Sequence, residues 1–176
     1  MNKLIFLLFI PVITAACSRL GFEHSCYYKI QSYNRQRYFF YYTHDNAMRL
    51  QKGENDNRER NIFKAVPGLA DKDELSFEAY SKPGYYLSVS ADRLVLKEKK
   101  TNAGFKSNST FVETAGLTND WAVSLKAFFN EKYYIRHSRY KLWVHSNDHS
   151  SVFAKDATFI PVPTTNIDQN RYSCDE

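Results

Sequence analysis

A shift of 48 residues lays the second third of the chain onto the last third without a gap, and this internal repeat limits the fold more than any other feature of the sequence. At that offset Ser76-Phe77-Glu78-Ala79-Tyr80 falls on Ser124-Leu125-Lys126-Ala127-Phe128, and Tyr85-Tyr86-Leu87 on Tyr133-Tyr134-Ile135. Further along, Leu94-Val95-Leu96 falls on Leu142-Trp143-Val144, Phe105 on Phe153, and Ser109-Thr110-Phe111 on Ala157-Thr158-Phe159. An earlier copy, from Ile30 to Leu69, is less regular. Gln31-Ser32-Tyr33 matches Glu78-Ala79-Tyr80 at offset 47, and Phe63 with Gly68-Leu69 matches Phe111 with Gly116-Leu117 at offset 48. The chain therefore holds three units of about 47 residues.

Within a unit the signals are those of short strands. Val123 to Phe129, Tyr133 to His137, Lys141 to Val144 and Ala157 to Val162 are rich in aromatic and β-branched residues, and turn residues such as Lys82-Pro83-Gly84, Asn102-Ala103-Gly104 and Ser146-Asn147-Asp148 separate them. No window carries a helical period over 11 residues. Four strands in each of three units predict an all-β fold, a β-trefoil with pseudo-threefold symmetry, whose 13 Tyr and 13 Phe supply the common core. A two-sheet sandwich with accidental repetition is the competing architecture. The expected layout is a leader over 1–17, a trefoil domain over 27–164 with repeats at about 28–74, 75–122 and 123–164, and a C-terminal tail over 165–176 that holds Cys174.

Met1-Asn2-Lys3 followed by the apolar run Leu4 to Ala16 reads as a secretory signal peptide, with cleavage after Ala16, Cys17 or Ser18. Thirteen residues are too few to span a bilayer, so no stable membrane insertion is expected. A Cys17 left at a new N-terminus would be open to lipidation; cleavage beyond it leaves Cys26 and Cys174 as a pair in an oxidising compartment. Such a bond requires that the two ends of the mature chain meet, as a closed trefoil provides. The net charge of +5 selects no partner by itself, and the densest basic run, Lys97, Lys99 and Lys100, is broken by Glu98. Nucleic acid is not expected as a partner.

Few chemical motifs compete. His145 and His149 have a metal-binding spacing only on a helix, and they lie in a Ser-Asn-Asp turn, so no metal or other cofactor is expected. Asp71, Asp73, Glu74 and Glu78 flank a turn and read as its solvated rim rather than as a glycosidase carboxylate pair. Asn108-Ser109-Thr110 is a glycosylation sequon if the chain is secreted by a eukaryote.

Val66-Pro67-Gly68-Leu69-Ala70, Leu75-Ser76-Phe77-Glu78-Ala79-Tyr80, Pro83-Gly84-Tyr85-Tyr86-Leu87, Tyr134-Ile135-Arg136-His137 and Asp156-Ala157-Thr158-Phe159 together resemble the arabinose-binding domain (carbohydrate-binding module family 42) found at the end of α-L-arabinofuranosidase B enzymes. The resemblance runs from roughly Tyr28 to Pro163. It implies a β-trefoil module that holds terminal arabinofuranose side chains of hemicellulose, with one potential pocket per unit. In that family the His ending Tyr-x-x-His and the Asp of Asp-Ala-Thr-Phe line the pocket, here His137 and Asp156. The second unit has Val89 and Asn108 at those places. The first has Tyr42, or His44 after a two-residue insertion, and a position near Arg60. Tyr134 or Tyr140 would offer apolar area to the sugar ring. Without the resemblance, Asp156 reads as an Asx turn and His137 as a surface or hydrogen-bond-satisfied histidine.

The expected function is therefore that of a secreted, monomeric, non-catalytic module that recognises arabinofuranosyl-containing polysaccharide mainly through the third unit. A protein-binding trefoil scaffold, as a secreted effector or inhibitor, is the alternative from another class. An accessory part of an α-L-arabinofuranosidase is the third.

Overall fold

The computed structural model describes residues 21–53 and 58–164. The expected leader, Cys17 and Cys174 lie outside the described residues. Twelve strands run in chain order: β1 (Tyr27–Ser32), β2 (Tyr38–Tyr42), β3 (Met48–Lys52), β4 (Phe63–Pro67), β5 (Leu75–Ala79), β6 (Tyr85–Ser90), β7 (Arg93–Glu98), β8 (Phe111–Ala115), β9 (Val123–Ala127), β10 (Asn130–Ser138), β11 (Lys141–Ser146) and β12 (Phe159–Pro163). Alternation of inward apolar and outward polar side chains marks most of them, as in β1, β3, β7 and β11.

The first and fourth strands of each unit close a barrel. Its long antiparallel pairings are β1 with β12, β4 with β5 and β8 with β9, and its short ones β1 with β4, β5 with β8 and β9 with β12. The second and third strands form the hairpins β2–β3, β6–β7 and β10–β11. These three cap one end of the barrel. A carbonyl from each hairpin turn receives an N–H from the next unit's second hairpin strand: Leu96 to Asn46, Val144 to Asp92 and Leu50 to Tyr140, each 2.8 Å. That cyclic bonding closes the pseudo-threefold array, and the fold is the all-β trefoil.

The registers also define equivalent positions. Phe63 faces Ala79, Phe111 faces Ala127, and Phe159 faces Ser32. All three phenylalanines are fully buried, with Ile30, Phe77 and Leu125 beside them in one core. Burial of aromatic side chains of this kind contributes about 2–3 kcal/mol each.

One expectation needs correction. Two short helices interrupt the all-strand reading, α1 (Ala103–Asn108) and α2 (Ser151–Asp156). Asn102-Ala103-Gly104 is not a bare turn but the start of α1: Asn102 Oδ1 accepts from the Phe105 N–H at 2.8 Å, and Ser150 Oγ does the same for Phe153 at 3.0 Å in α2. Six residues are too few to show a helical period, so a caps-first reading is needed to see them. In the first unit a 3₁₀ turn, Arg58–Asn61, takes the corresponding place.

Candidate functional site

Asp156 is the last residue of α2, and a pair of buried hydroxyls fixes that helix to the barrel. Ser124 Oγ on β9 donates to the Ala157 carbonyl at 2.7 Å and accepts from the Leu117 N–H at 3.1 Å. Thr158 Oγ1 donates to the Ala154 carbonyl at 2.7 Å and accepts from the Thr118 N–H at 3.3 Å. The loop holding Leu117 and Thr118 comes close at Gly116, where an added Cβ would lie 2.6 Å from the Asn119 carbonyl and 2.8 Å from Thr158 Cγ2. Only glycine fits there. Ser76, Thr110 and Gly68 repeat this device in the second unit.

Around Asp156 four polar side chains converge. Its Oδ2 accepts from the Arg136 guanidinium at 2.6 Å. Its Oδ1 accepts from the Asn34 amide nitrogen at 2.8 Å. The Asn34 oxygen in turn accepts from His137 Nε2 at 2.6 Å and from Ser32 Oγ at 3.1 Å. His137 is 4% exposed and Asp156 9%. Since Asn34 must turn its NH₂ to the carboxylate, its oxygen meets the ring, and the imidazole carries its proton on Nε2. The His137 Nε2 to Asp156 Oδ1 distance is 3.4 Å, so Asn34, not a direct bond, mediates most of their contact.

Burial pushes the His137 pKa below its ordinary value near 6.5; the Asp156 carboxylate opposes this, and the Arg35 and Arg136 charges add to it. Arg136 also lies over the Phe153 ring at 5.0 Å, which fixes the guanidinium plane.

The site is thus built across two units. β10 and α2 supply Arg136, His137 and Asp156, while Asn34 comes from the loop after β1, at the other end of the chain. Asn34 and Arg136 were absent from the sequence-based candidates. At the repeat offsets Asn34 aligns with Ser81 and Phe129, and the corresponding contact in the first unit is the 2.6 Å bond between Tyr42 and Ser81.

The other candidates are placed as follows. Tyr134 is buried against α2, edge-on to Phe153 at 6.3 Å, and does not join the four-residue network. It floors an open cleft of about 380 Å³ with Lys126, Glu131 and Lys132. Tyr140 is 45% exposed in the β10–β11 turn, its ring 5.2 Å from Tyr38 and 5.8 Å from the Arg35 guanidinium. It holds a left-handed backbone, φ 62°, as does Arg139 at 49°. Such a conformation in bulky residues costs roughly 1 kcal/mol or more each. The hairpin registers put Tyr42 and Val89 at the position of His137. His44 lies two residues past Tyr42, exposed, and bonds Arg60 at 3.2 Å. Arg60 stands where the third unit has Asp156, so the charge there is reversed. Asn108 ends α1 and is partly exposed. His145 packs on Trp143 at 5.4 Å, with His149 in the loop beyond β11. Cys26 directly precedes β1, half-buried against the core.

The family model of the α-L-arabinofuranosidase B domain matches residues 28–161 and again 115–174. No curated protein matches by sequence. Among solved structures, an arabinofuranosidase complexed with arabinofuranosyl-α-1,2-xylobiose is similar over 82% of this chain and 32% of its own, with a TM-score of 0.71 and 21% identity. Cytolethal distending toxin from Actinobacillus actinomycetemcomitans is similar over 81% of this chain and 94% of its own, at 0.64 and 14%. An endo-β-galactosidase from Clostridium perfringens that releases GlcNAcα1-4Gal follows at 0.65 and 9%, over 82% of this chain and 34% of its own. The chain spans about a third of the arabinofuranosidase it matches, and at these identities the likenesses bear on the fold alone. The family match, by contrast, covers most of the described trefoil, and the chain belongs to the α-L-arabinofuranosidase B domain family.

Proposed function

We propose that this chain is a secreted carbohydrate-binding module, without hydrolytic activity of its own, that takes a terminal arabinofuranosyl group at the site around Asp156. The observation that carries this reading is the convergence of Arg136, His137, Asp156 and Asn34 at one junction between units, whose counterparts at the next junction are Ser88, Val89, Asn108 and Phe129. A furanose offers vicinal hydroxyls. A carboxylate held by two donors still has free lone pairs for such hydroxyls, and the guanidinium has further N–H groups for their oxygens. His137, bonded to Asn34, holds the amide in the orientation that presents it. Tyr140, on the rim beside Arg35, supplies apolar area.

Calorimetry with arabinofuranosyl oligosaccharides checks this: wild type binds, Asp156→Ala loses binding, and His137→Ala weakens it at least tenfold, a loss of about 1.4 kcal/mol or more. Equal, non-zero binding by all three proteins overturns the site. Release of arabinose from a synthetic furanoside by the purified chain overturns the non-catalytic reading. In the same secreted protein Cys26 pairs with Cys174. The five-residue register between β1 and β12 and the 2.9 Å bond from the Thr164 N–H to the Tyr27 carbonyl support this by bringing the ends of the trefoil together. A reductant-sensitive loss of two hydrogens in the intact mass, absent from Cys174→Ser, checks it.

A further inference from the structure

Beside the site, on the loop between β8 and β9, Trp121 is 51% exposed. A singly exposed apolar side chain is ordinary on a protein surface, so the informative feature is a second ring beside the indole. Its ring lies 5.7 Å from that of Tyr33, tilted by 54°, so the two form one aromatic platform. Asn119 links the two residues: its oxygen accepts from the Trp121 backbone N–H at 3.2 Å and its NH₂ donates to the Tyr33 hydroxyl at 3.4 Å. The platform is tied to the site at two points. Tyr33 precedes Asn34 and donates its N–H to the Thr158 carbonyl at 3.1 Å, and Thr118 on the Trp121 loop bonds Thr158 Oγ1, two residues beyond Asp156.

The repeat comparison makes the placement specific. At the unit offsets Trp121 aligns with Asp73 and Cys26, so the tryptophan stands only at the junction of units that also carries the Asp156 network. Two rings with Asn34, Asn119 and Asp120 next to them in the chain suit the apolar face and flanking hydroxyls of a pyranose. They are too small for a stable protein interface, which covers about 800 Å² on each partner.

We propose that Tyr33 and Trp121 form a second saccharide subsite, which takes the pyranose main-chain unit that bears the furanose held at Asp156. The subsite rests on the reading of that pocket for its ligand, and its test separates the two. Calorimetry compares methyl α-L-arabinofuranoside with an arabinofuranosyl-substituted xylo-oligosaccharide. Trp121 emission, taken as wild type minus Trp121→Ala, is followed with both and with an unbranched xylo-oligosaccharide. The branched ligand binds wild type about tenfold tighter than the methyl glycoside, the gain expected of one aromatic stacking contact. Trp121→Ala abolishes that gain and leaves the methyl glycoside affinity unchanged. Equal loss for both ligands, or no loss for either, overturns the subsite. Should the methyl glycoside fail to bind while a xylo-oligosaccharide still quenches Trp121, the pocket falls and the platform stands. Absence of quenching by all three saccharides overturns the platform whatever the pocket does.

Discussion

His137 sits where a hydrophobic core and a polar site meet. Its ring is almost fully buried, yet its Nε2 hydrogen reaches Asn34 and, through that amide, the Asp156 carboxylate. Because desolvation holds its pKa below 6.5, the unfolded chain takes up a proton at this residue before the folded chain does. Stability that His137 contributes is therefore full above pH 6.5 and is lost as the pH falls below it. Melting of wild type should drop between pH 7.5 and 5.5 by more than melting of His137→Val, which installs the residue of the second unit and has no proton to gain. Equal drops in the two proteins would place the acid sensitivity elsewhere. At this scale the sequence already set His137 and Asp156 apart, since each stands against an apolar or neutral counterpart at offset 48. Asn34 was not legible. It lies 122 residues from Asp156, and a comparison made within units cannot pair a loop of the first with a helix of the third. Tyr134 is near His137 in sequence, but alternation along β10 puts it on the opposite face of the strand, where its ring packs edge-on to Phe153 beneath the Arg136 guanidinium.

Elements of the site are held by buried hydroxyls rather than by length. α2 has six residues, below the size at which a helix is stable alone, so it depends on Ser150 at its start and on Ser124 and Thr158 at its end. Ser124 is fully buried and satisfies two backbone groups, Leu117 N–H and Ala157 C=O. Ser124→Ala leaves both unpaired and should cost about 1–3 kcal/mol in urea unfolding. Ser76→Ala removes the same pair of bonds in the second unit and should cost a similar amount. The two variants separate in binding. Ser124→Ala loosens the residue that follows Asp156 and should weaken furanoside affinity severalfold, whereas Ser76→Ala should leave it within error of wild type. Matching affinities would show that α2 needs no anchor to position the carboxylate. The strands of these elements could be read from β-branched and aromatic runs, whereas the helices could not: their signal is only a capping Asn102 or Ser150 followed by six residues.

For the whole molecule, threefold closure gives three equivalent junctions, and sequence drift has equipped them unequally. The positions of Arg136, His137, Asp156 and Asn34 hold Tyr41, Tyr42, Arg60 and Ser81 at one junction, where the Tyr42–Ser81 bond and Arg60 over the Tyr42 ring at 5.6 Å close the space. At the other they hold Ser88, Val89, Asn108 and Phe129. The backbone frame there is intact: α1 is capped, and Ser76 and Thr110 anchor it as Ser124 and Thr158 anchor α2. Symmetry makes that junction a direct test of whether four side chains suffice. The variant Ser88→Arg, Val89→His, Asn108→Asp and Phe129→Asn rebuilds the network on an existing scaffold, and it also removes the Asn108 sequon that would otherwise allow a glycan at that position. It buries polar groups where Ser88 is 1% and Val89 4% exposed, so a loss of about 1–3 kcal/mol in stability is expected before ligand is added. In calorimetry with an arabinofuranosyl ligand the stoichiometry should rise from one to two. Asp156→Ala in the same background should return it to one, leaving only the grafted site. A folded variant that still binds a single ligand would mean that the four-residue network is not sufficient for recognition, and that Tyr140 or the Trp121 platform, neither of which the second junction possesses, is indispensable.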